Sequence, residues 1–235
     1  MGCCSSLNIV QPPQQLLQLP TQELTIRKNE RESLFAKKPL QKIVESFKRE
    51  GLQKQLSIPQ LKRALHELGL NRSAMEEPDN PLFKYFTSFE DGKLLDLTKI
   101  ITSAVLLSTS EIDKKLKVLF EEYKDNNDRL LKPGNLRKMV LDLFVVSLHH
   151  TPLLAIGEGP DKLSSEEISQ YGESLSQEED KYIEETYKVL LGNSEDLGIK
   201  ELETAFSEHG EVSRILSSSG LREFILHKYK ATINL

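Results

Sequence analysis

Four times along the chain, an amphipathic helical pattern leads into a polar loop of about a dozen residues and then into a second such pattern. Each loop carries one apolar residue past its middle: Leu56, Leu94 or Leu95, Leu131 and Leu197. This recurrence constrains the fold more than any other feature, because one helical pair cannot bury its apolar stripe alone and must stack on a neighbour. Leu40, Ile43, Val44 and Phe47 fall at i, i+3, i+4 and i+7, and Leu61, Leu65 and Leu68 line one face of the next helix. Ile112, Leu116, Leu119, Phe120 and Tyr123 form a third stripe, and Leu136, Met139, Val140, Leu143 and Phe144 a fourth. Taking Leu95, the loop residues are spaced by 39, 36 and 66 positions, so three units are nearly periodic and the last follows an insertion. The pattern predicts an all-α modular array.

Residues 83–97 (Phe-Lys-Tyr-Phe-Thr-Ser-Phe-Glu-Asp-Gly-Lys-Leu-Leu-Asp-Leu) and residues 112–131, followed by Leu136 and Met139, resemble hands of the EF-hand superfamily. The similarity is greatest to N-acylated four-handed proteins of the neuronal calcium sensor, potassium-channel-interacting and calcineurin B types. It implies two lobes of paired helix-loop-helix units, joined within each lobe by short strands at loop position 8. The expected organisation is a flexible acylated tether over 1–30, one pair over 31–108, and a second over 109–230 with an acidic insertion at about 149–178.

A calcium loop needs 6 to 8 oxygens from positions 1, 3, 5, 7, 9 and a bidentate Glu at 12, with Gly at 6. The third loop has Lys124, Asn126, Asp128, Arg129 and Asn135 at positions 1, 3, 5, 6 and 12: a cation where the first carboxylate belongs, and no closing Glu. The second keeps Asp91 and Gly92 but has Thr87 and Phe89 at 1 and 3, and closes on Thr98 or Lys99. The first runs from Lys48 to about Gln60 with almost no ligands. The fourth retains Glu201 behind Leu190, Gly192 and Ser194. Asp91, Asp128 and Glu201 are therefore only residual ligand positions, and no metal or other cofactor is expected, calcium being the one ion the resemblance leaves open.

The only two cysteines, Cys3 and Cys4, lie in Met1-Gly2-Cys3-Cys4-Ser5-Ser6. They cannot form an internal disulfide framework or a thiol-rich metal site. Gly2 with Ser6 fits the N-myristoylation pattern, and the cysteines stand where palmitate is added. One myristoyl chain binds membranes only weakly, at about 10⁴ M⁻¹, and a second chain makes residence stable. Residues 1–20 lack the basic start and long apolar core of a secretory signal, so the expected location is the cytoplasmic face of a membrane.

The net charge of −5 is uneven: residues 21–72 hold twelve Lys or Arg against six Asp or Glu, and residues 156–181 eight acids against two lysines. Arg27, Lys28, Arg31, Lys37, Lys38 and Lys42 are either lipid-attracting or an ordinary solvated face. An acidic chain without basic patches interleaved by aromatics argues against nucleic acid. No phosphate loop, nucleophile elbow or His-Glu-x-x-His helix occurs, and the adjacent His149 and His150 diverge on a helix, so the chain is not expected to be an enzyme. The insertion reads as a solvated linker in which Ser164 with Glu167, and Ser176 with Glu179, have capping-box spacing. The expected function is a membrane-tethered adaptor or regulatory subunit that holds an amphipathic helix of a membrane protein, or of a kinase or phosphatase subunit, in an apolar groove. A calcium sensor with a non-standard loop, and an enzyme whose site is invisible as a motif, are the alternatives.

Overall fold

The computed structural model describes residues 19–70, 75–78, 80–126 and 128–233. The chain is mostly helical with one small sheet. The first unit consists of α3 (Leu40–Glu50), strand β1 (Gln55–Leu56) and α4 (Ile58–Glu67), preceded by α1 (Thr21–Glu32) and α2 (Leu34–Lys37). The second is α5 (Pro81–Thr87), a hairpin of β2 (Glu90–Asp91) and β3 (Leu94–Asp96), and α6 (Leu97–Leu107). The third is α7 (Ile112–Tyr123) and α8 (Pro133–Val145), which runs on into a π-helical turn, Val146–His150, and a 3-10 turn, Thr151–Ala155. After α9 (Ser165–Ser176) come α10 (Glu179–Leu191) and α11 (Ile199–Glu208), then α12 (Gly210–Ser213), a 3-10 turn and α13 (Ser218–Ile233).

The loop leucines meet in twos. β1 and β3 are antiparallel with Leu56 opposite Leu95. Leu131 and Leu197 exchange both main-chain bonds, at 2.7 and 3.0 Å. Local sequence sets the helix starts. Ser57 and Gln60 form a capping box on α4, Asp96 accepts from the Lys99 N–H at 3.1 Å to open α6, and Ser164 with Glu167 caps α9.

The stripes are buried as their periodicity requires, with one exception: Ile112, at the first turn of α7, is 47% exposed. Buried apolar residues from Ile26 to Ile225 form one continuous cluster, so the units share a single interior. Its densest part is aromatic. Phe35, Phe47, Tyr85, Phe86 and Phe89 pack mostly edge-on at centroid distances of 5.0 to 6.3 Å, fastening α2 and α3 to α5.

Three expectations are corrected. The tether expected over 1–30 does not extend that far, because Thr21–Glu32 are helix α1 with Glu23, Ile26, Asn29 and Glu30 buried. Of these only Ile26 is apolar, so hydrophobic periodicity carries no signal there. The insertion is not a solvated linker: Ile168, Tyr171 and Leu175 at i, i+3 and i+7 hold α9 on the core. Ser176 is the last residue of α9 and donates to the Gly172 carbonyl, so it does not cap α10.

Candidate functional site

Each loop is closed by groups of the chain itself. In the third, the Lys132 ammonium lies 2.8 Å from Asp125 and 2.9 Å from Asp128, while the Asn135 amide donates to the other Asp125 oxygen at 3.1 Å. Hydrogen bonds to Asp125 and Asp128 raise the Lys132 pKa, and the bond from Lys132 is the chief cause that lowers that of Asp125. A tethered cation thus bridges the carboxylates of this loop, satisfying the charge that a bound cation would otherwise neutralise.

In the first loop, the Gln60 amide donates to the Glu50 carbonyl at 2.7 Å while its oxygen accepts from Ser57. The side chain at the closing position therefore ties the loop's end to its start as a hydrogen-bond donor. Gln53 and Lys54, between the mutually bonded Leu52 and Gln55, both have left-handed φ, 50° and 62°. Such a two-residue turn matches strand twist but normally uses Asn or Gly. Lys54 explains part of the arrangement, because its ammonium donates to the Glu122 carbonyl at the C-terminal end of α7, where a cation is favoured.

The second loop is a hairpin turning at Gly92, with φ of 70° and Asp91 exposed in β2. In the fourth, Glu201 folds back over the N-terminus of α11, where a Cβ on Gly198 would collide with its Oε2. Asp91, Asp128 and Glu201 sit in three different loops. Among the described residues, no group of three or more His, Cys, Asp or Glu converges as a metal site.

Two open clefts flank α7. One, of about 710 Å³, lies between α3 and α7, with Val44 and Val118 in its floor and Lys48, Arg49, Lys114 and Lys117 among its rim residues. The other, of about 670 Å³, lies between α7 and α11 over Ile112, Leu116 and Phe206. Lys48 is held from behind by the buried Glu122 at 2.8 Å, and Glu122 also accepts from Thr98 at 2.9 Å. Next to this pair, the Tyr123 hydroxyl donates to Asp142 at 2.8 Å, and Lys138 pairs with the same carboxylate at 2.6 Å. These bonds fix α7 against α3, α6 and α8, so the walls of the clefts are rigid elements. Lys115, on the inner face of α7, donates to the Leu216 carbonyl at 2.8 Å, and burial pushes its pKa down to about 8.

The C-terminal helix is anchored from an unexpected direction. Its Leu221, Phe224 and Ile225 are buried, and α13 packs on the π-helical turn, α6 and α9. Arg222, wholly buried, donates to Glu23 at 2.7 Å and to both oxygens of Glu30 at 2.9 Å, and also to the Ser147 carbonyl and the Ser218 hydroxyl. Burial opposes its charge, but Glu30 and Glu23 override that and leave its pKa above the ordinary value. Arg27 pairs with Glu23 at 2.6 Å and with Glu223 at 3.0 Å, and the Tyr171 hydroxyl donates to Glu23 at 2.8 Å. This network is a clasp that joins α1, α9 and α13.

His150, ending the π-helical turn, stacks on Phe89 at 4.5 Å and shares a hydrogen bond of 2.8 Å with Ser88. Burial, then the charges of Lys99 and His149, push its pKa down to about 4. His149 points elsewhere, to Glu179 at 3.3 Å. Of the cations noted at the start of the fold, Arg27 is consumed in the clasp and Lys28 pairs with Asp161 at 2.6 Å.

Gly2, Cys3 and Cys4 lie outside the described residues. No described helix is long and apolar enough to cross a membrane. Comparison with protein-family models and with curated proteins found no match to this chain.

Proposed function

We propose that the chain is a lipid-tethered, EF-hand-like adaptor or regulatory subunit that works without calcium. Gly2, Cys3 and Cys4 carry the anchor, holding the protein at the cytoplasmic face of a membrane. In this reading α3–α4 pairs with α5–α6, and α7–α8 with α10–α11, as two hands each. Leu56 opposite Leu95 and Leu131 opposite Leu197 support that pairing.

The observation that carries the calcium-independent reading is Lys132 between Asp125 and Asp128. A cation cannot enter that loop without displacing an ammonium that is covalently part of it, and each other loop offers at most one carboxylate at a position that ligates through its side chain. Ion-driven opening of a helix pair requires an ion, so the partner surface is constitutive. The proposed partner is an amphipathic helix of a membrane protein, or of a kinase or phosphatase subunit, laid into the clefts beside α7 with its apolar anchors over Val44, Val118, Ile112 and Leu116.

Isothermal titration of the purified chain with calcium tests the first half of this reading. A flat trace is expected, and heat saturating at micromolar calcium would overturn it. Fractionation of cells expressing Gly2→Ala tests the second. The variant is expected in the soluble fraction, and unchanged membrane association would refute the anchor.

A further inference from the structure

The cations at the start of the fold divide into two groups. Arg27 and Lys28 are committed to carboxylates within the protein. Arg31, Lys37, Lys38 and Lys42 are exposed, and none has an ion-pair or hydrogen-bond partner among the described residues. These four lie within twelve consecutive residues, where α1 turns through α2 into α3, and the only acid in that stretch is Glu32. The corner is rigid, because Phe35 at its centre is buried in the aromatic cluster and Leu40 and Ile43 root the start of α3. The rest of the molecule sums to a charge more negative than the net −5 of the chain. A preorganised corner of unpaired cations on a body that is negative in sum favours one orientation in an external field.

We propose that this corner is the face the protein turns to an anionic bilayer. Arg31, Lys37, Lys38 and Lys42 contact lipid headgroups. The inference deepens the lipid-tethered reading and rests on it. The chain enters α1 at Thr21, and Arg31 lies ten residues along that helix, about 15 Å away. Nineteen residues from Gly2 to Pro20 have a contour of up to about 65 Å, so an anchored N-terminus and the corner reach one membrane surface together. A single acyl chain combined with a basic patch is also enough for stable anchoring. The corner would therefore keep the protein bound, and oriented, when only one acyl chain is present.

The test is a flotation assay with four proteins on two kinds of vesicle, one of phosphatidylcholine and one of phosphatidylcholine with phosphatidylserine. The proteins are the myristoylated chain, the Gly2→Ala chain, and myristoylated variants with Gln at Arg31, Lys37, Lys38 and Lys42, or at Lys93, Arg129, Lys188 and Arg214. The second variant removes the same charge from exposed positions elsewhere. Serine-containing vesicles are expected to bind the myristoylated and Gly2→Ala chains more tightly than neutral ones, in a salt-sensitive manner. The corner variant should lose roughly fivefold of that preference per charge at low salt, and the control variant little.

Equal loss in both variants, or no preference for serine lipid in the wild-type proteins, overturns the inference. The anchor is judged separately, from the ratio of myristoylated to Gly2→Ala binding on neutral vesicles. Should the fourfold corner variant unfold on thermal melting, Lys37→Gln/Lys38→Gln gives the same reading with half the charge removed.

Discussion

Replacing Arg222 by Met removes the one cation that faces both Glu23 and Glu30. The two carboxylates, Arg27 and Arg222 balance in charge, and all but Arg27 are buried. Met approximates the volume of the arginine stem but leaves Glu30 without its ion-pair partner and Glu23 with Arg27 alone. It also leaves the Ser147 carbonyl without the guanidinium donor. Breaking a buried pair by deleting one partner costs about 3–5 kcal/mol, because the remaining charge stays desolvated. That is roughly a fifth or more of the stability of a typical domain, which is about 5–15 kcal/mol.

The double variant Arg222→Met/Glu30→Gln restores charge balance, since Glu23 keeps Arg27. It should recover about 2 kcal/mol of the loss. Arg222→Lys should fall between wild type and Met, because an ammonium cannot span both oxygens of Glu30 as the guanidinium does. Urea unfolding at neutral pH measures all three, provided the slope with denaturant is unchanged. A Met variant within about 1 kcal/mol of wild type, or a double variant no better than the single, would refute the assignment of the clasp as a charge-balanced unit.

Two further outcomes follow from local geometry. His150 has a folded pKa of about 4, below the 6.5 of an unperturbed histidine. Between those values the unfolded chain binds more protons, so stability is lost as pH falls from 6.5 toward 4, by up to about 3 kcal/mol. His150→Phe keeps a ring against Phe89 and should flatten that part of the stability profile, read from urea melts at neutral and acid pH. The left-handed Gln53 carries a steric cost that Asn relieves. Gln53→Asn should therefore raise stability by about 0.5–1 kcal/mol in thermal or urea unfolding, and no gain would mean that the turn is held by something other than its backbone preference.

What the sequence reveals about this fold depends on whether a residue's partner is near in the chain or repeats a period. The loop leucines are legible because each stands as an apolar residue in a polar loop behind a helix stripe, and consecutive ones meet in pairs. The poverty of the loops in ligands is equally legible, position by position. What closes them is not: Lys132 stands at position 9 of the third loop, and nothing in the sequence marks it as the group that bridges Asp125 and Asp128. Helix α1 escapes because its buried face is Glu23, Asn29 and Glu30 with a single isoleucine. Those residues are buried only by virtue of Arg222 and Lys162, contributed from far along the chain. Ile112 fails in the other direction, being in phase with its stripe yet one turn beyond the end of the packed surface.

The clasp also sets an order of events in synthesis. Glu23 and Glu30 leave the ribosome well before Arg222, which is made 192 to 199 residues later. At about 5–20 residues per second, that interval is roughly 10–40 s. Throughout it α1 lacks the cation that its buried carboxylates need, while the helix pairs behind it can dock on one another as they emerge. Helix α1 is thus made long before the residue that secures it.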